Sequence, residues 1–235
     1  FVNMKNHLTT SLMLLILINI TSINGQSYAF KIGGVYAQNT RIEQDIYLQF
    51  LQTNMQLDKI PDVKPSLGLA LGFVSRGNHA EFEAGGIISS SKDIASDTGG
   101  NSLQFKAKDI SLYFGGNYLP VNFIILGVGL NINAAENKSE LSGASAPYTL
   151  FESPPSTDFN IFRGYSVGFK AQAGFAIPFE SGEISGIRIL PFYAMSFGKY
   201  DFYDVTGSRW IGYTGDHKTH FSSVGLTVEV ALGFN

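Results

Sequence analysis

The 235-residue chain contains no cysteine, so it has neither a cysteine for a lipid anchor nor a disulfide framework. Its stability must come from packing and backbone pairing. Charged residues make up only 15% of the chain, and no basic cluster indicates a nucleic-acid partner. The four histidines do not follow a recognised metal-ligand spacing, and no glycine pair precedes the helix and Lys-Ser/Thr of a phosphate loop. The sequence therefore predicts no cofactor and no metal.

No N-terminal apolar run reaches the roughly 20 residues that a membrane-spanning helix requires. The run from Leu12 to Ile20 has nine residues, follows a short basic region and is followed by small or polar residues. This order is typical of a cleaved secretory signal. We expect residues 1–25 to be the signal peptide, with Met4 as the translation start, and residues 26–235 to form one domain.

Glycine and alternating hydrophobicity are abundant instead. Glycine accounts for 26 residues and aromatic residues for 13%. From Val224 to Asn235, even positions are apolar and odd positions are small or polar, which gives a strand two different faces. Segments of this kind recur eight times, near residues 28–37, 66–76, 79–90, 103–118, 122–134, 159–178, 186–200 and 219–234.

The predicted connections alternate between short and long. The short ones are Gly77–Asn78, 119–121 and 179–185, and the long ones are 38–65, 91–102, 135–158 and 201–218. Outer-membrane barrels show this alternation, with an even number of antiparallel strands that returns both termini to the periplasmic side. The sequence therefore predicts a closed, eight-stranded, antiparallel up-and-down barrel of the all-β class.

The first long connection contains a different pattern. Apolar residues between Asp45 and Leu57, with Ile42 before them, follow helical spacing, and Thr40 with Glu43 matches a capping box. We predict a short amphipathic helix. One interpretation is a helix packed over the barrel mouth, and the other is a functional plug or a partner-binding helix.

The alternation assigns one apolar face and one small face to every strand. Outward candidates are Tyr28, Phe30, Ile32, Leu67, Leu69, Leu71, Phe73, Phe82, Ala84, Ile88, Ile110, Leu112, Phe114, Ile124, Leu126, Val128, Leu130, Ile132, Tyr165, Val167, Phe169, Phe175, Ile177, Ile187, Ile189, Tyr193, Met195 and Phe197. A soluble eight-stranded barrel also has one apolar face. The second face here, however, is mostly glycine, alanine and serine, which suits a narrow lumen better than a wet outer wall. We therefore predict a membrane barrel.

Two stretches carry a family resemblance, residues 115–132 (GGNYLPVNFIILGVGLNI) and 224–234 (VGLTVEVALGF). The chain resembles eight-stranded outer-membrane proteins of the OmpA and OmpX kind, especially the outer membrane β-barrel family common in Bacteroidetes. The resemblance implies insertion in the outer membrane of a Gram-negative bacterium, with lipid and the barrel-assembly machinery as partners. It also implies an assembly signal in the last strand, for which the candidates are Gly225, Val230, Leu232 and Phe234.

Seven charged residues fall on the inward parity: Lys31, Arg76, Glu81, Glu83, Lys170, Arg188 and Glu229. Charges enclosed in a barrel must be paired or hydrated, because burying them alone costs several kcal/mol. Lys31 on the first strand and Glu229 on the last become neighbours when the barrel closes. The set is either a structural ion network that fills the lumen or a polar pathway for ions and small solutes.

One segment resembles an enzyme motif. His220-Phe221-Ser222 is similar to the H-x-S of outer-membrane lipid A deacylases, but Glu229, the only downstream glutamate, has the opposite parity. A triad needs its three groups on one surface. The sequence therefore favours a monomeric, non-enzymatic barrel with a structural or surface-binding role. The alternatives are a narrow transport channel and, third, a lipid A-modifying hydrolase.

Overall fold

A computed structural model describes residues 27–142, 158–180, 183–201 and 218–234. The predicted signal peptide lies outside these residues. The eight wall strands are β1 (Ser27–Thr40), β2 (Pro65–Arg76), β3 (Ala80–Ser96), β4 (Ser102–Tyr118), β5 (Ile124–Ser142), β6 (Asp158–Pro178), β7 (Gly186–Ser196) and β10 (Ser222–Phe234). The other elements are a helix, α1 (Ile42–Met55), and a short strand pair, β8 (Tyr200–Asp201) with β9 (Lys218–Thr219).

The wall is a closed antiparallel barrel in the order β1-β10-β7-β6-β5-β4-β3-β2. The seam pairs the first strand with the last, with Tyr28 opposite Phe234 and Thr40 opposite Ser222. The predicted fold class, an eight-stranded all-β barrel with a short helix in the first long connection, is confirmed. We call the end with Tyr28 and Phe234 the terminal end, and the opposite end the loop end.

The largest departures from the predicted strand bounds are in β3 and β5, at the loop end. β3 continues to Ser96 and β4 begins at Ser102, so the expected loop 91–102 is reduced to a turn over residues 97–101. β5 likewise continues to Ser142. Residues 89–91 are three serines on alternating faces, and beyond them the outward face is mostly polar while Ala95, Leu103 and Phe105 are buried in the interior. The pattern of large apolar residues on the outward face therefore stops at the serines, although the backbone pairing continues.

The hairpin between β2 and β3 differs by one residue from the prediction. The Gly77 N–H donates to the Ala80 carbonyl at 2.8 Å, and Arg76 pairs with Glu81. The two connecting residues are therefore Asn78 and His79, not Gly77 and Asn78. A two-residue connection of this kind is the commonest for antiparallel neighbours.

The helix lies in the predicted connection, but its N-terminus differs from the predicted capping box, and the apolar residues Ile42 and Ile46 do not face the barrel. Thr40 is the last residue of β1, and Arg41 is the N-cap without a side-chain capping bond, so the capping box does not form. Gln44 and Leu48 are each 1% exposed, whereas Ile42 and Ile46 are 63% and 50% exposed. Within the described ranges, no helix is long and apolar enough to cross a membrane.

Arg41 explains why α1 turns Gln44 and Leu48, and not Ile42 and Ile46, toward the barrel. Its side chain is buried in the barrel mouth, where it forms a salt bridge with Asp109 on β4. Arg41, Gln44 and Leu48 have the spacing i, i+3, i+7 and therefore share one helix face. Fixing Arg41 inside the barrel consequently turns this mixed polar and apolar face inward.

The wall separates side chains as the alternation predicts. On β10, Val224 through Phe234 are exposed at even positions, while Ser223, Thr227, Glu229 and Ala231 are buried at odd positions. None of the predicted outward residues is buried. The exposed face is apolar, and the enclosed face carries the polar and charged residues.

Candidate functional site: the barrel interior

The interior consists of layers along the barrel axis. Near the terminal end, two small apolar clusters fill it, formed by Ala29, Val74, Ile184 and Ala231 and by Ile125, Ala176 and Leu190. The charged residues lie next. Toward the loop end follows a larger cluster that includes Leu48 of α1, Phe105, Phe192 and Phe221. Except for Arg76, which follows Val74 toward the terminal end of β2, the charged residues thus lie between apolar clusters.

Lys31 joins the seam to β3, which is separated from β1 by one strand. Its Nζ lies 2.5 Å from Glu83 Oε1 and 2.7 Å from Glu229 Oε2. All three side chains are at most 7% exposed. Glu229 and Lys31 therefore meet across the seam, and Lys31 serves two carboxylates at once.

Glu81 organises a second set of contacts nearer the terminal end. Its Oε2 accepts from Arg188 at 2.6 Å, and its Oε1 accepts from Arg76 at 2.7 Å. Arg76 also donates to the Glu183 carbonyl at 3.1 Å. Charge-assisted bonds of this length are among the stronger ones in proteins, so this set ties β2, β3 and β7 together with the connection before β7.

Two neutral side chains connect the sets, and the sequence analysis missed both. Asn117 donates to Glu81 at 3.1 Å and to Glu83 at 2.8 Å. Gln172 donates to Glu83 at 2.8 Å and to Asn117 at 3.1 Å. Both have inward parity on predicted strands. Considering amides as well as charges on that parity would have found them.

Lys170 differs from the other six charges. Among the described residues it has no carboxylate within salt-bridge distance; its Nζ instead lies 4.6 Å from the Tyr113 ring centroid and 5.0 Å from that of Phe192. The layer holds four cations and three carboxylates, so its formal charge is 4 − 3 = +1. A cation over aromatic faces is stabilised by about 2 kcal/mol when desolvated.

The Arg41–Asp109 pair forms a separate contact at the barrel mouth. Asn39 also donates to Asp109, at 3.0 Å, and the Arg41 guanidinium lies 5.3 Å from the Phe221 ring centroid. Asp109 has the inward parity that identified the other charges, but Arg41 lies in a predicted loop and carried no signal.

The interior is polar enough to require water. Buried atoms without a hydrogen-bond partner in the structure include the Tyr113 hydroxyl, Arg188 Nε and Thr227 Oγ1. A cavity lies between Lys170 and Phe221, with only ≈ 20 Å³ open to the centre of a water-sized sphere. That volume holds about one or two waters. This cavity can therefore hold hydration water beside the charged residues.

The predicted assembly residues lie on both faces of β10. Val230, Leu232 and Phe234 are exposed on the outer wall, and the Phe234 ring centroid lies 6.2 Å from that of Tyr28. Gly225 faces inward, where a Cβ built on it would lie 2.5 Å from Phe192 Cζ. Gly225 is thus required by the packing of a lumen aromatic.

The enzyme-like segment does not form a triad. His220 is exposed, while Phe221 is 3% and Glu229 6% exposed and both lie in the interior. Ser222 has the outward parity of Val224. The three groups therefore do not share a surface. In the described part of the chain, no group of three or more His, Cys, Asp or Glu side chains is placed to hold a metal ion.

The turn between β3 and β4 at the loop end is fixed by Asp97. Its carboxylate accepts from the Asn101 side chain at 2.6 Å, from the Asn101 N–H at 2.7 Å and from the Gly99 N–H at 2.9 Å. The Asn101 side-chain hydrogen bond, followed by these backbone N–H groups, holds the pKa of Asp97 below its ordinary value.

No family model and no curated protein matches this chain. Solved structures similar to it include Ail, the attachment invasion locus protein of Yersinia pestis, in complex with the heparin analogue sucrose octasulfate, at 12% identity, 88% of this chain, 99% of that chain and TM-score 0.45. Neisserial surface protein A is similar at 9% identity, 90% and 100% coverage and TM-score 0.41. A mutant of the monoaromatic hydrocarbon channel TodX is similar at 10% identity, 92% of each chain and TM-score 0.32. None of these likenesses is close enough to carry a function or a location to this chain, and the OmpA-like family assignment remains a prediction.

Proposed function

We propose that this chain is an integral barrel of the bacterial outer membrane that acts without catalysis, as a structural element of the wall and through the surfaces it exposes. The observation that supports this is that the distribution of residues is the reverse of that in a soluble protein, with charged side chains inside and apolar side chains outside. Charged Lys31, Glu83 and Arg188 are enclosed at no more than 2% exposure, while Leu69 and Val128 are 63% and 61% exposed on the outer wall. A soluble barrel would lose free energy on both counts.

The dimensions of the outer wall agree with a bilayer. On β4 the outward positions from Ile110 to Tyr118 are apolar, aromatic or glycine. The eight steps from Ile110 to Tyr118, at about 3.4 Å each, cover about 27 Å along the strand, or about 21 Å along the membrane normal at a tilt of about 40°. This is close to the roughly 25 Å apolar band of known outer-membrane barrels. Outer-membrane lipid and the barrel-assembly machinery then follow as partners of a monomeric protein.

The layered interior supports a closed lumen. An apolar cluster lies on each side of the charged layer, and Leu48 of α1 covers the loop end. The favoured interpretation of the inward charges is therefore a structural network that fills the barrel. The partnerless polar atoms near Arg188 favour a second candidate, a narrow pathway for ions or small solutes along a hydrated interior.

Two measurements test the proposal. Cell fractionation should recover the protein in the outer membrane, and a soluble periplasmic product would contradict the membrane location. The purified protein, refolded in planar bilayers, should show no steady conductance. Steady single-channel conductance would replace the closed-lumen function with the channel.

A further inference from the structure

Four lysines form a cluster on the outer wall at the loop end, on β3, β4 and β5. We call Lys92, Lys106, Lys108 and Lys138 the basic patch. Lys92 lies directly opposite Lys106 in the strand register, and Lys106 lies directly opposite Lys138. All four are exposed. Like charges opposite each other on neighbouring strands destabilise a sheet, so this row is unfavourable unless an anion compensates it.

The acidic residues nearby compensate the patch only in part. Lys106 Nζ lies 3.0 Å from Glu140, and Lys138 Nζ lies 3.7 Å from Glu136. Within the described residues, Lys92 and Lys108 form no salt bridge. Four lysines and two glutamates give this surface a formal charge of 4 − 2 = +2, although the whole chain is at −3.

The patch lies directly beyond the apolar wall. Ile88, Ile110, Ala134 and Tyr165 form the next outward row toward the terminal end. Lys108 is thus two residues from Ile110, about 7 Å along the strand. At the same end on the opposite wall, the outward residues Gln38, Thr40 and Ser222 are uncharged.

Two adjoining grooves lie on this surface. A shallow groove of ≈ 540 Å³ runs between the lysines and is lined by Ser90 and Ala107 as well. A second groove of ≈ 210 Å³ adjoins it, where Ala134 leaves a gap between Ile110 and Tyr165. The two grooves share Lys108 and Glu136. One is therefore basic and polar, and the other leads onto the apolar wall.

We propose that the basic patch binds the phosphorylated headgroup of an outer-leaflet glycolipid, with an acyl chain in the adjoining groove. The proposal rests on the proposed membrane location, which places the loop end at the outer leaflet. A lipid occupant is favoured because the cationic groove and the apolar wall are continuous. A phosphorylated lipid presents anionic and apolar groups in the same order.

The test uses the full-length protein in phosphatidylcholine nanodiscs with increasing fractions of acyl-labelled lipid A carrying two phosphates. Because the chain has no cysteine, Ile94→Cys gives a single dye site beside the patch, and Gln38→Cys gives one on the opposite wall. Energy transfer to the lipid should be stronger at position 94. The double change Lys92→Gln with Lys108→Gln should weaken the apparent affinity for lipid A, as reported by the dye at position 94, about 25-fold. This assumes about a fivefold loss for each lysine beside a charged membrane surface.

Two controls isolate the phosphate interaction. Lys64→Gln removes a lysine of similar exposure from the first connection and should leave the transfer unchanged, and lipid A without phosphates should behave like the double variant. Equal transfer at positions 94 and 38, or transfer that does not depend on the lipid phosphates, would overturn the proposal. Inorganic phosphate that displaces the lipid more strongly than chloride of equal ionic strength would assign the patch to a soluble ligand instead.

Vesicle flotation separates this result from the proposed function. A protein that floats with lipid but shows no preference for phosphorylated lipid A retains its membrane location and loses only the headgroup site. A protein that does not insert at all contradicts the proposed function itself, and the headgroup site with it.

Discussion

Lys31 is the residue at which the interior network can be tested most directly. Among the described residues it is the only hydrogen-bond donor to the Glu229 carboxylate, at 2.7 Å, whereas the Glu83 carboxylate also accepts from Asn117 and Gln172. Lys31→Met retains most of the side-chain volume but leaves Glu229 buried without a donor. Removing one partner of a buried pair costs about 3–5 kcal/mol, and we expect this loss in the free energy of unfolding.

Glu229→Gln should be the milder change. Lys31 keeps Glu83 at 2.5 Å, so the expected cost is about 1.5–3 kcal/mol, the value of one hydrogen bond to a charged group. The two single changes move the formal charge of the layer from +1 to 0 and from +1 to +2, and the double change restores +1. The double variant should therefore be more stable than the sum of the single effects predicts, by at least about 1 kcal/mol.

The free energy of unfolding is measured for the unchanged protein, the two single variants and the double variant. Each barrel is refolded in lipid vesicles and unfolded with urea at pH 7, and the folded fraction is read from the different gel migration of folded and unfolded protein. The matched control is Lys64→Met with Asp45→Asn, a pair at 3.0 Å with side chains 45% and 27% exposed. Exposed pairs of this kind typically couple by about 0.2–1 kcal/mol. Additive effects at Lys31 and Glu229 would refute the network, because they would mean that water rather than the partner compensates each charge.

Three further changes test the wall, the lumen packing and a turn. Val228→Arg should cost about 2–4 kcal/mol near the bilayer midplane, and Ser222→Arg at the loop end about 0–1 kcal/mol; equal costs in refolding would exclude the outward assignment. Gly225→Ala should cost about 1–3 kcal/mol by overpacking the aromatic ring that faces it, whereas Gly34→Ala, with no atom within 4 Å of the added Cβ, should be close to neutral by urea unfolding. The pKa of Asp97 is lowered in the folded protein, so its carboxylate stabilises the turn fully at pH values above the ordinary carboxyl pKa. This stabilisation is lost as the pH falls through the lowered pKa. The opening of the amides at residues 99–101, measured by hydrogen exchange, should therefore become more frequent in acid, and an unchanged opening of these amides would contradict this.

The wall could be predicted from the sequence because alternation at period two is a local property. Each strand from Tyr28 to Phe234 carries its own contrast between a large apolar face and a small face, and an even number of strands allows the first and last to pair antiparallel at the seam. The contrast stops at residues 89–91, where serines occupy both faces, and the strand ends were missed there. Backbone pairing continues in β3 because the neighbouring strand continues, which no local pattern records.

The sequence predicts which charged residues face the interior, but it does not predict which of them contact each other. Inward parity places Lys31, Glu83 and Glu229 inside the barrel, yet the choice of partners depends on how far each strand is displaced relative to its neighbour. Lys31 consequently reaches Glu83, on a strand that is not adjacent to β1, as well as Glu229 across the seam. The buried face of the helix could not be predicted for a similar reason. It depends on the salt bridge between Arg41 and Asp109, which is distant in the sequence.

The reversed distribution of residues also limits where this protein can act. The cavity between Lys170 and Phe221 has about 20 Å³ of free space, and α1 is fixed over the mouth by the Arg41–Asp109 salt bridge. If the lumen is closed as proposed, a solute passes only when α1 and the contacts of Lys31 rearrange together, and the buried charges make that rearrangement costly. The outer wall, by contrast, presents apolar side chains and the basic patch without rearrangement. Recognition is therefore favoured on the outside of the barrel, where the lysine row of β3, β4 and β5 meets the apolar wall.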